Sequence, residues 1–363
     1  MGGTLLYFGS DASIVMPSLT AGVDYAIYVC TDGTARADSS FTAPSGYTTA
    51  NSRKVGGFHY APGGNASGQS GGDTTPQINQ YSFWDLKFKP SCADPRGMTL
   101  VGGAFWMDIY LTGVDAITNG SSKYNVTMAD GSSPPKVPTM FGGNGSTTYG
   151  SYTWFEAMEL ATAFGKRAPS QREFMAATYG TTEASSIGTD QNSSILNAAY
   201  TSKWGVVQAT GVLWIWGDDR GGAYATAGWN ANTEGRGSEY NAPNAVLFGG
   251  GWYNGASCGS RSSYWNDAAS ASGSTPAAII SPKYQQECVA CHVAYPPGML
   301  PAASWKRIMG SLDKHFGTDA SLDEASVREI SGWLQTHAGT YKRVSEEPPQ
   351  DRITRSQWFV RKH

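Results

Sequence analysis

The hydrophobic and polar positions along this chain form three successive patterns, which change near residues 140 and 275. In residues 1–140, short runs of alternating apolar and polar residues are separated by clusters of Gly, Ser, Asn and Asp, and this pattern predicts half-buried strands joined by turns. Gly102 and Gly103 lie inside the last run and predict a bulge or a close backbone approach. We expect a β-sandwich-like domain over these residues. The predicted strands cover residues 24–30, 54–60, 83–89 and 98–111.

Residues 141–275 combine helical spacing with a stretch rich in Trp and Gly. Apolar residues at three-to-four spacing predict a helix over residues 153–164. Ser170 followed by Glu173 is a capping box, which predicts the start of a second helix. The run at residues 247–267 is dense in Gly, Ser, Trp and Tyr. Two helices beside an irregular, aromatic-rich sheet indicate an α+β module of the C-type-lectin-like kind.

Residues 276–363 contain less glycine and return to helical spacing. Ser321 and Glu324 form another capping box, which predicts a helix to about residue 337. An earlier amphipathic helix is predicted where apolar residues recur every three to four positions. These residues are Trp305, Ile308, Met309, Leu312 and Phe316. The whole chain is therefore expected to be mainly β, with a short α-helical segment at residues 276–363.

The composition narrows the classes of function. Charged residues make up 15% of the 363 residues and the net charge is -3, which gives no electrostatic case for nucleic-acid binding. No apolar run is long enough to span a bilayer, and the first ten residues lack the basic and apolar regions of a secretory signal peptide. The 12 Trp and 19 Tyr residues favour a large aromatic core or a rigid aromatic contact surface.

Cys288, Cys291 and His292 form a tight Cys-x-x-Cys-His motif. Two thiols at this spacing can each add to one vinyl group of a haem, and the next residue then reaches the iron as its proximal ligand. The chain has no second close cysteine pair, which a zinc site of this kind would need. The motif therefore predicts one covalent haem c. The candidates for the sixth ligand are two histidines, giving a lower potential, and two methionines, giving a higher one: His315, His363, Met299 and Met309.

Several long stretches identify a family for the first three quarters of the chain. They include residues 24–30 (DYAIYVC), 53–63 (RKVGGFHYAPG), 94–100 (DPRGMTL) and 202–208 (SKWGVVQ). Through them, residues 10–274 closely resemble the phage tropism determinants, which are receptor-binding proteins diversified by a retroelement. The resemblance implies a homotrimer at the tail-fibre tips of a virion, with a C-type-lectin fold whose surface binds a bacterial outer-surface protein.

The same resemblance implies which residues bind the receptor and which hold the backbone. Exposed aromatic residues between small polar ones are typical of recognition surfaces, and avidity in a trimer would strengthen weak single contacts. The positions that match the family's variable residues are Gly251, Tyr253, Asn254, Gly255, Ser257, Tyr264, Asn266, Asp267, Ala271 and Gly273. The positions that match its invariant frame are Trp252, Gly259, Ser260, Arg261 and Trp265.

Two departures from this family are visible in the sequence. The family's N-terminal trimer region is largely absent. Its last strand, which follows the variable residues, is missing where this chain reads STPAAII at residues 274–280. The lectin-like module is therefore expected to be incomplete at the edge that carries the binding face.

The end of the chain resembles a second family. The matching stretches are residues 288–292 (CVACH), 295–301 (YPPGMLP), 305–309 (WKRIM) and 352–363 (RITRSQWFVRKH). They are similar to the dihaem cytochromes c, and the resemblance implies electron transfer to a redox partner and favours a histidine as sixth ligand. The family's second Cys-x-x-Cys-His does not occur in this chain, so one haem is expected.

These observations favour a binding protein and not an enzyme. Formylglycine-generating enzymes share the lectin-like fold but need a cysteine pair, and Cys258 has no cysteine partner nearby in the sequence. The first hypothesis is a tail-fibre receptor-binding protein in the virion, fused to a single-haem segment. One alternative is an electron-transfer cytochrome with an N-terminal adhesion domain, which would be periplasmic because haem c is attached outside the cytoplasm. The other is an artefactual fusion of the two parts.

Overall fold

The computed structural model divides the chain into two compact units, Met1–Pro282 and Lys283–His363. The three domains expected from the sequence, at residues 1–140, 141–275 and 276–363, stay a prediction. The residues described by the structure are 12–86, 92, 94–224, 227–231, 236–269, 274–275, 280–281, 300–336, 338–339, 348–356 and 360.

The first sheet of the larger unit is built on one long antiparallel pair. Its strands are β1 (Ile14–Val15), β2 (Val23–Cys30), β3 (Ala35–Asp38), β4 (Ser52–Ala61), β5 (Gln77–Ile78) and β6 (Trp84–Asp85), in the order β1-β3-β2-β4-β5 with β6 also on β4. The strands predicted at residues 24–30 and 54–60 are confirmed as β2 and β4. Of the strand predicted at 83–89, only Trp84 and Asp85 form a strand, β6, and residues 87–89 lie outside the described residues.

The long strand predicted over residues 98–111 is instead a hairpin. β7 (Met98–Val101) pairs antiparallel with β8 (Phe105–Asp108). Gly102 and Gly103, with φ of 58° and 70°, form the turn between them and not a bulge, because two consecutive left-handed residues reverse the chain direction. A further strand, β15 (Ile280–Ser281), pairs with the other edge of β8.

Three helices follow, and two of them begin with a capping box. They are α1 (Ala116–Asn119), α2 (Trp154–Ala163) and α3 (Gln171–Ala177). The capping box of α3 is confirmed, since the Ser170 hydroxyl accepts a hydrogen bond from the Glu173 backbone and the Glu173 carboxylate accepts one from Ser170. Thr153 and Glu156 form the same arrangement at the start of α2, so each helix satisfies backbone donors that would otherwise lack partners.

The second sheet lies against these helices and carries the aromatic run. Its strands are β9 (Trp214–Tyr224), β12 (Pro243–Phe248), β13 (Ser263–Asp267) and β14 (Ser274–Thr275), in the order β13-β12-β9-β14. β10 (Trp229–Ala231) and β11 (Ser238–Tyr240) form a separate hairpin. Phe174 of α3 stacks on Phe248 at the end of β12, with ring centroids 4.9 Å apart. This buried contact fixes the point at which the aromatic run begins.

The segment expected to leave the lectin-like module without its last strand does supply short strands. Ser274 pairs with Trp214 and Thr275 with Ile215, in a parallel ladder between β14 and β9. Ile280 then pairs with Met107 of the hairpin formed by β7 and β8. The edge of β9 opposite β12 is therefore partly covered. The expectation that the module is incomplete at the edge that carries the binding face stays a prediction.

One buried ion pair ties the β8 hairpin to the chain that follows α2. Lys166 Nζ lies 2.7 Å from Asp108 Oδ1 and 2.8 Å from Ser121 Oγ. The Lys166 and Asp108 side chains are each 1% exposed. Burial raises the pKa of the Asp108 carboxyl, while the Lys166 ammonium opposes that rise.

The described residues of the smaller unit form two α-helices around one apolar cluster. They are α4 (Ala302–Met309) and α5 (Glu324–Thr336). The cluster is formed by Leu300, Trp305, Met309, Ile330, Leu334 and Ile353. This confirms the expected helical character, and among the described residues no helix is both long and apolar enough to cross a membrane.

Two details of this unit differ from the sequence prediction. α4 ends at Met309 instead of continuing to Phe316, whose ring is 47% exposed with the Arg352 guanidinium 4.6 Å from its centroid. The cap of α5 is Asp323 and not Ser321, because the Asp323 carboxylate accepts a hydrogen bond from the Ser326 backbone at 3.0 Å. An aspartate at the N-cap fills the same role as the predicted serine.

Candidate functional site

The aromatic run of residues 251–267, called the variable run below, leaves the buried end of β12 and returns along β13. β13 is an edge strand that pairs only with β12 among the described strands, with Tyr264 opposite Leu247 and Trp265 opposite Val246. Tyr253 is 60% exposed, Tyr264 is 51% exposed and Trp265 is 41% exposed. The variable run therefore presents large aromatic side chains to solvent from a backbone that is anchored in the sheet.

Two glycines make the tight path of the variable run feasible. At Gly250, where φ is 86°, a Cβ atom would lie 2.4 Å from the Cys258 sulfur, and at Gly259 a Cβ atom would lie 2.1 Å from a Glu183 carboxylate oxygen. No side chain fits at such distances without displacing its neighbour. Cys258 is buried, as expected, and burial raises the pKa of its thiol. The backbone path thus depends on residues that do not face solvent.

Asn254 holds the loop closed from inside. Its side-chain oxygen accepts a hydrogen bond from the Gly251 backbone at 2.9 Å, and its backbone donates to the Gly251 carbonyl at 3.0 Å. A short 3-10 turn, Gly255–Ser257, follows directly. A side chain predicted to contact a receptor therefore also makes a local turn bond, which is common for asparagine.

Trp252 anchors the variable run on the opposite side of this loop. Its backbone donates to the Val212 carbonyl at 2.8 Å, and its carbonyl accepts hydrogen bonds from the Ser186 hydroxyl at 2.7 Å and the Gly188 backbone at 3.1 Å. The Trp252 ring meets the Tyr253 ring edge-on, with centroids 5.3 Å apart. The predicted frame residue thus supports the exposed ring beside it.

The predicted receptor-binding positions differ in exposure. Gly251 is buried, and a Cβ atom there would lie 3.3 Å from Trp214. Ala271 and Gly273 lie outside the described residues. Trp265, which the family resemblance places in the invariant frame, is exposed and extends the aromatic surface. The sequence signal that could have indicated this exposure is the run of Tyr and Trp residues around it. The exposed positions are Tyr253, Gly255, Ser257 and Tyr264, and the partly buried ones are Asn254, Asn266 and Asp267.

The predicted haem ligands fall mostly outside the described residues. Cys288, Cys291, His292, Met299 and His363 belong to this group. Among the described residues no group of three metal-binding side chains occurs.

Two of the candidates for the sixth haem ligand are described. His315 follows the 3-10 turn Leu312–Lys314 and lines a cavity of about 350 Å³ together with Arg307 and Arg352. Met309 is buried inside the helical cluster. Of the two, His315 is the side chain that borders open space.

Comparisons with known proteins separate along the same two parts of the chain. Residues 1–85 match the family described as Mtd second domain, and residues 284–363 match the family Dihaem cytochrome c. The chain is 57% identical over 272 residues to the tail fiber receptor-binding protein of Bordetella phage BPP-1, covering 72% of this chain and 71% of that protein.

Solved structures support the fold. The Major Tropism Determinant M1 variant is 53% identical and the I1 variant 54% identical, each with a TM-score of 0.75 and covering 77% of both chains. These structures confirm the expected fold class, which is mainly β with a C-type-lectin-like module.

Proposed function

Because this chain belongs to the family of tail-fibre receptor-binding proteins that includes the major tropism determinants, we propose that it acts at a phage tail fibre by binding a bacterial outer-surface protein. The variable run is the proposed contact surface. The family identification covers the larger unit, and the function follows from that unit alone. No catalytic reaction is assigned to it.

The observation that carries this proposal is the exposure of aromatic rings on a fixed backbone. Tyr253 and Tyr264 are more than half exposed, and the backbone beneath them is held by Trp252, Asn254 and Gly259. Rigid tyrosine side chains lose little conformational entropy when they bind, and such residues dominate the energy of many interfaces. A surface of this kind suits recognition of a protein partner.

The test compares two exposed aromatic residues, one in β13 and one just before β6. Purified chain is labelled, screened against a panel of bacterial strains, and its affinity for intact cells of a bound strain is measured. We expect Tyr264→Ala to weaken binding by about 30-fold or more, the effect of losing a side chain that contributes ~2 kcal/mol. Phe83→Ala, which removes a ring of similar exposure just before β6, serves as the control and should bind as the parent does.

Two results would oppose the proposal. One is equal binding by the parent and by the Tyr253→Ala and Tyr264→Ala variants. The other is an equal loss in the Phe83→Ala control, which would place the contact elsewhere or indicate a general loss of folding. Thermal unfolding of each variant separates these causes, because substitution of an exposed side chain usually changes stability by less than about 0.5 kcal/mol.

We also propose that the chain acts as a homotrimer. Linking three equal surfaces raises the apparent affinity for a cell surface by about a hundredfold or more without any new contact. Sedimentation equilibrium should give three times the chain mass of 38.6 kDa. A single species at the chain mass would contradict the trimer and leave the proposed contact surface intact.

A second proposal concerns the smaller unit, which matches the dihaem cytochromes c over residues 284–363. We propose that Cys288 and Cys291 carry one covalent haem, that His292 is its proximal ligand and that His315 or His363 is its sixth ligand. The haem would supply one-electron transfer to a redox partner, in a chain loaded in the periplasm. Of the described candidates, His315 supports this assignment because it borders a cavity of about 350 Å³, whereas Met309 is buried in the helical cluster.

The haem proposal is tested in cells that attach haem c in the periplasm. The chain is directed there with an added signal peptide, and the haem content per chain is measured by the pyridine haemochrome spectrum and by intact mass. One haem per chain, lost in the Cys288→Ser/Cys291→Ser variant, is expected. Absence of haem from the parent chain would refute the proposal.

Cell binding by the Cys288→Ser/Cys291→Ser variant then distinguishes the two hypotheses for the whole protein. A receptor-binding protein keeps its affinity for cells after these changes. An electron-transfer protein with an adhesion domain loses its redox activity and is indifferent to Tyr264→Ala in that assay.

A further inference from the structure

A short segment outside the variable run contacts it at four places along its length. This segment, residues 183–188, is called the brace below. We propose that the brace is the positioning element of the receptor-binding surface, with Glu183 and Ser186 as its positioning residues. The inference rests on the proposed function and deepens it.

Glu183 and the adjacent Ala184 bond the residues on either side of Gly259. Its two carboxylate oxygens accept hydrogen bonds from the Ser260 backbone at 3.0 Å and from the Ser260 hydroxyl at 2.6 Å. The adjacent Ala184 backbone donates to the Cys258 carbonyl at 3.0 Å. Gly259 lies between these bonds, and the space for a Cβ atom there is occupied by the Glu183 carboxylate. Hydrogen bonds to an ionised carboxylate are among the stronger ones in proteins.

Ser186 fixes the other end of the loop. Its hydroxyl donates to the Trp252 carbonyl at 2.7 Å and accepts a hydrogen bond from the Gly255 backbone at 3.0 Å. The Gly188 backbone donates to the same Trp252 carbonyl at 3.1 Å. Tyr253 lies between the two residues that Ser186 bonds, so these contacts hold the backbone from which its ring projects.

The contacts of the brace are almost all with main-chain groups of the variable run. They are the Trp252 carbonyl, the Gly255 N–H, the Cys258 carbonyl and the Ser260 N–H. Every residue except proline carries the same main-chain donor and acceptor. The brace can therefore hold the loop in one conformation while residues such as Tyr253 and Ser257 change. The brace thus positions the surface with bonds that depend little on which side chains the variable run carries.

One residue of the brace, Ala184, has a backbone conformation that its surroundings must hold in place. Ala184 has φ of 51°, in the left-handed region that non-glycine residues seldom adopt. Such a conformation costs free energy and persists where surrounding bonds over-determine it, often at functional sites. At Ala184, the hydrogen bond that its backbone donates to the Cys258 carbonyl is one such surrounding bond.

Hydrogen exchange of the full chain tests the brace without any receptor. In Glu183→Ala and in Ser186→Ala, the amides of Ser260 and Gly255 respectively lose their acceptor and should exchange about tenfold faster or more, because local opening sets their rate. Amides of the first sheet should be unchanged. Glu239→Ala, which removes a carboxylate paired with Arg220 elsewhere in the unit, is the matched control and should leave the variable run unchanged.

A conservative variant keeps the test decisive if Glu183→Ala misfolds. The side chain of Glu183→Gln retains one accepting oxygen, so exchange at Ser260 should lie between the rates of the parent and of Glu183→Ala. The affinity for cells should fall in the same order. Parent-like exchange in Glu183→Ala and Ser186→Ala would overturn the inference.

The proposed function and the brace fail in different ways. Faster exchange in the brace variants supports the brace even if the parent chain binds no cells, a result that would overturn only the proposed function. If the parent chain binds cells, unchanged binding by a variant with faster exchange would overturn the positioning role. The brace variants can also be made both in the parent chain and in a chain that carries Tyr253→Ala. If they reduce binding by the same factor in both chains, the result would support a brace that acts on the main chain.

Discussion

The buried ion pair between Lys166 and Asp108 should be a main determinant of stability in the larger unit. Its atoms lie 2.7 Å apart and both side chains are 1% exposed. Lys166→Met leaves the Asp108 carboxyl buried without its cation, and breaking one side of a buried pair costs about 3–5 kcal/mol. Ser121 keeps its hydroxyl beside the site, but one neutral donor does not replace an ammonium.

The loss should depend on pH in a defined direction. Burial already raises the pKa of Asp108 against the opposing effect of Lys166, so removal of Lys166 raises it further. A carboxyl whose folded pKa is above its unfolded value of about 3.9 stabilises the folded state below that pH, and the contribution is lost as the pH rises through the folded pKa. Lys166→Met should therefore be more stable at about pH 5 than at about pH 8 relative to the parent chain.

Two further variants separate charge from packing. Lys166→Met/Asp108→Leu removes both charges and should recover most of the loss, since replacing a buried pair by apolar residues is often neutral or stabilising by about 1–4 kcal/mol. Lys136→Met breaks the pair with Asp115, whose side chains are each 28% exposed. As a partly exposed pair, it should contribute about 1 kcal/mol or less.

The assay is urea unfolding of the full chain at several pH values, with the free energy of unfolding obtained by linear extrapolation. The reasoning is refuted if Lys166→Met loses no more than Lys136→Met. It is also refuted if the double variant is as unstable as Lys166→Met, because the loss would then come from packing and not from an unpaired buried charge.

Two other predictions follow from the described side chains. Burial raises the pKa of Glu173, but hydrogen bonds and charge from Arg167 lower it more, so the net pKa lies below the usual range. The stabilisation from this carboxylate is present above its unfolded pKa and is lost on acidification, so Glu173→Gln should flatten the decline of the urea midpoint below about pH 4.5. Burial also raises the pKa of the Cys92 thiol to about 11. In the Cys288→Ser/Cys291→Ser background, a disulfide reagent at about pH 8 should therefore modify Cys92 at least about tenfold more slowly in the folded chain than in urea, and equal rates in the two would show an accessible thiolate.

Local signals in the sequence predicted the parts of the fold that local chemistry decides. The capping box at Ser170 and Glu173 marks the start of α3, and the alternation in residues 24–30 marks β2. Both depend on bonds or faces within a few residues. The family was identified in a different way, from long unbroken stretches of matching sequence.

The sequence failed where a choice depends on distant parts of the chain or on two similar local options. Gly102 and Gly103 suit a bulge as well as a turn, and only the pairing of β7 with β8 decides between them. Asp323 and Ser321 can each cap a helix. The pairing of Ile280 with Met107 joins residues far apart in the chain, and no periodicity in either segment indicates it.

The positions assigned to the receptor do not have equal freedom, and this limits how the surface can diversify. Tyr253 and Tyr264 project into solvent, so changes there alter recognition and leave the backbone in place. Asn254 accepts the Gly251 hydrogen bond, and a side chain at Gly251 would press on Trp214. Because the loop keeps its path only while such bonds persist, most of the diversity compatible with folding should fall on exposed positions. The brace extends that tolerance, since it binds main-chain groups that every residue except proline retains.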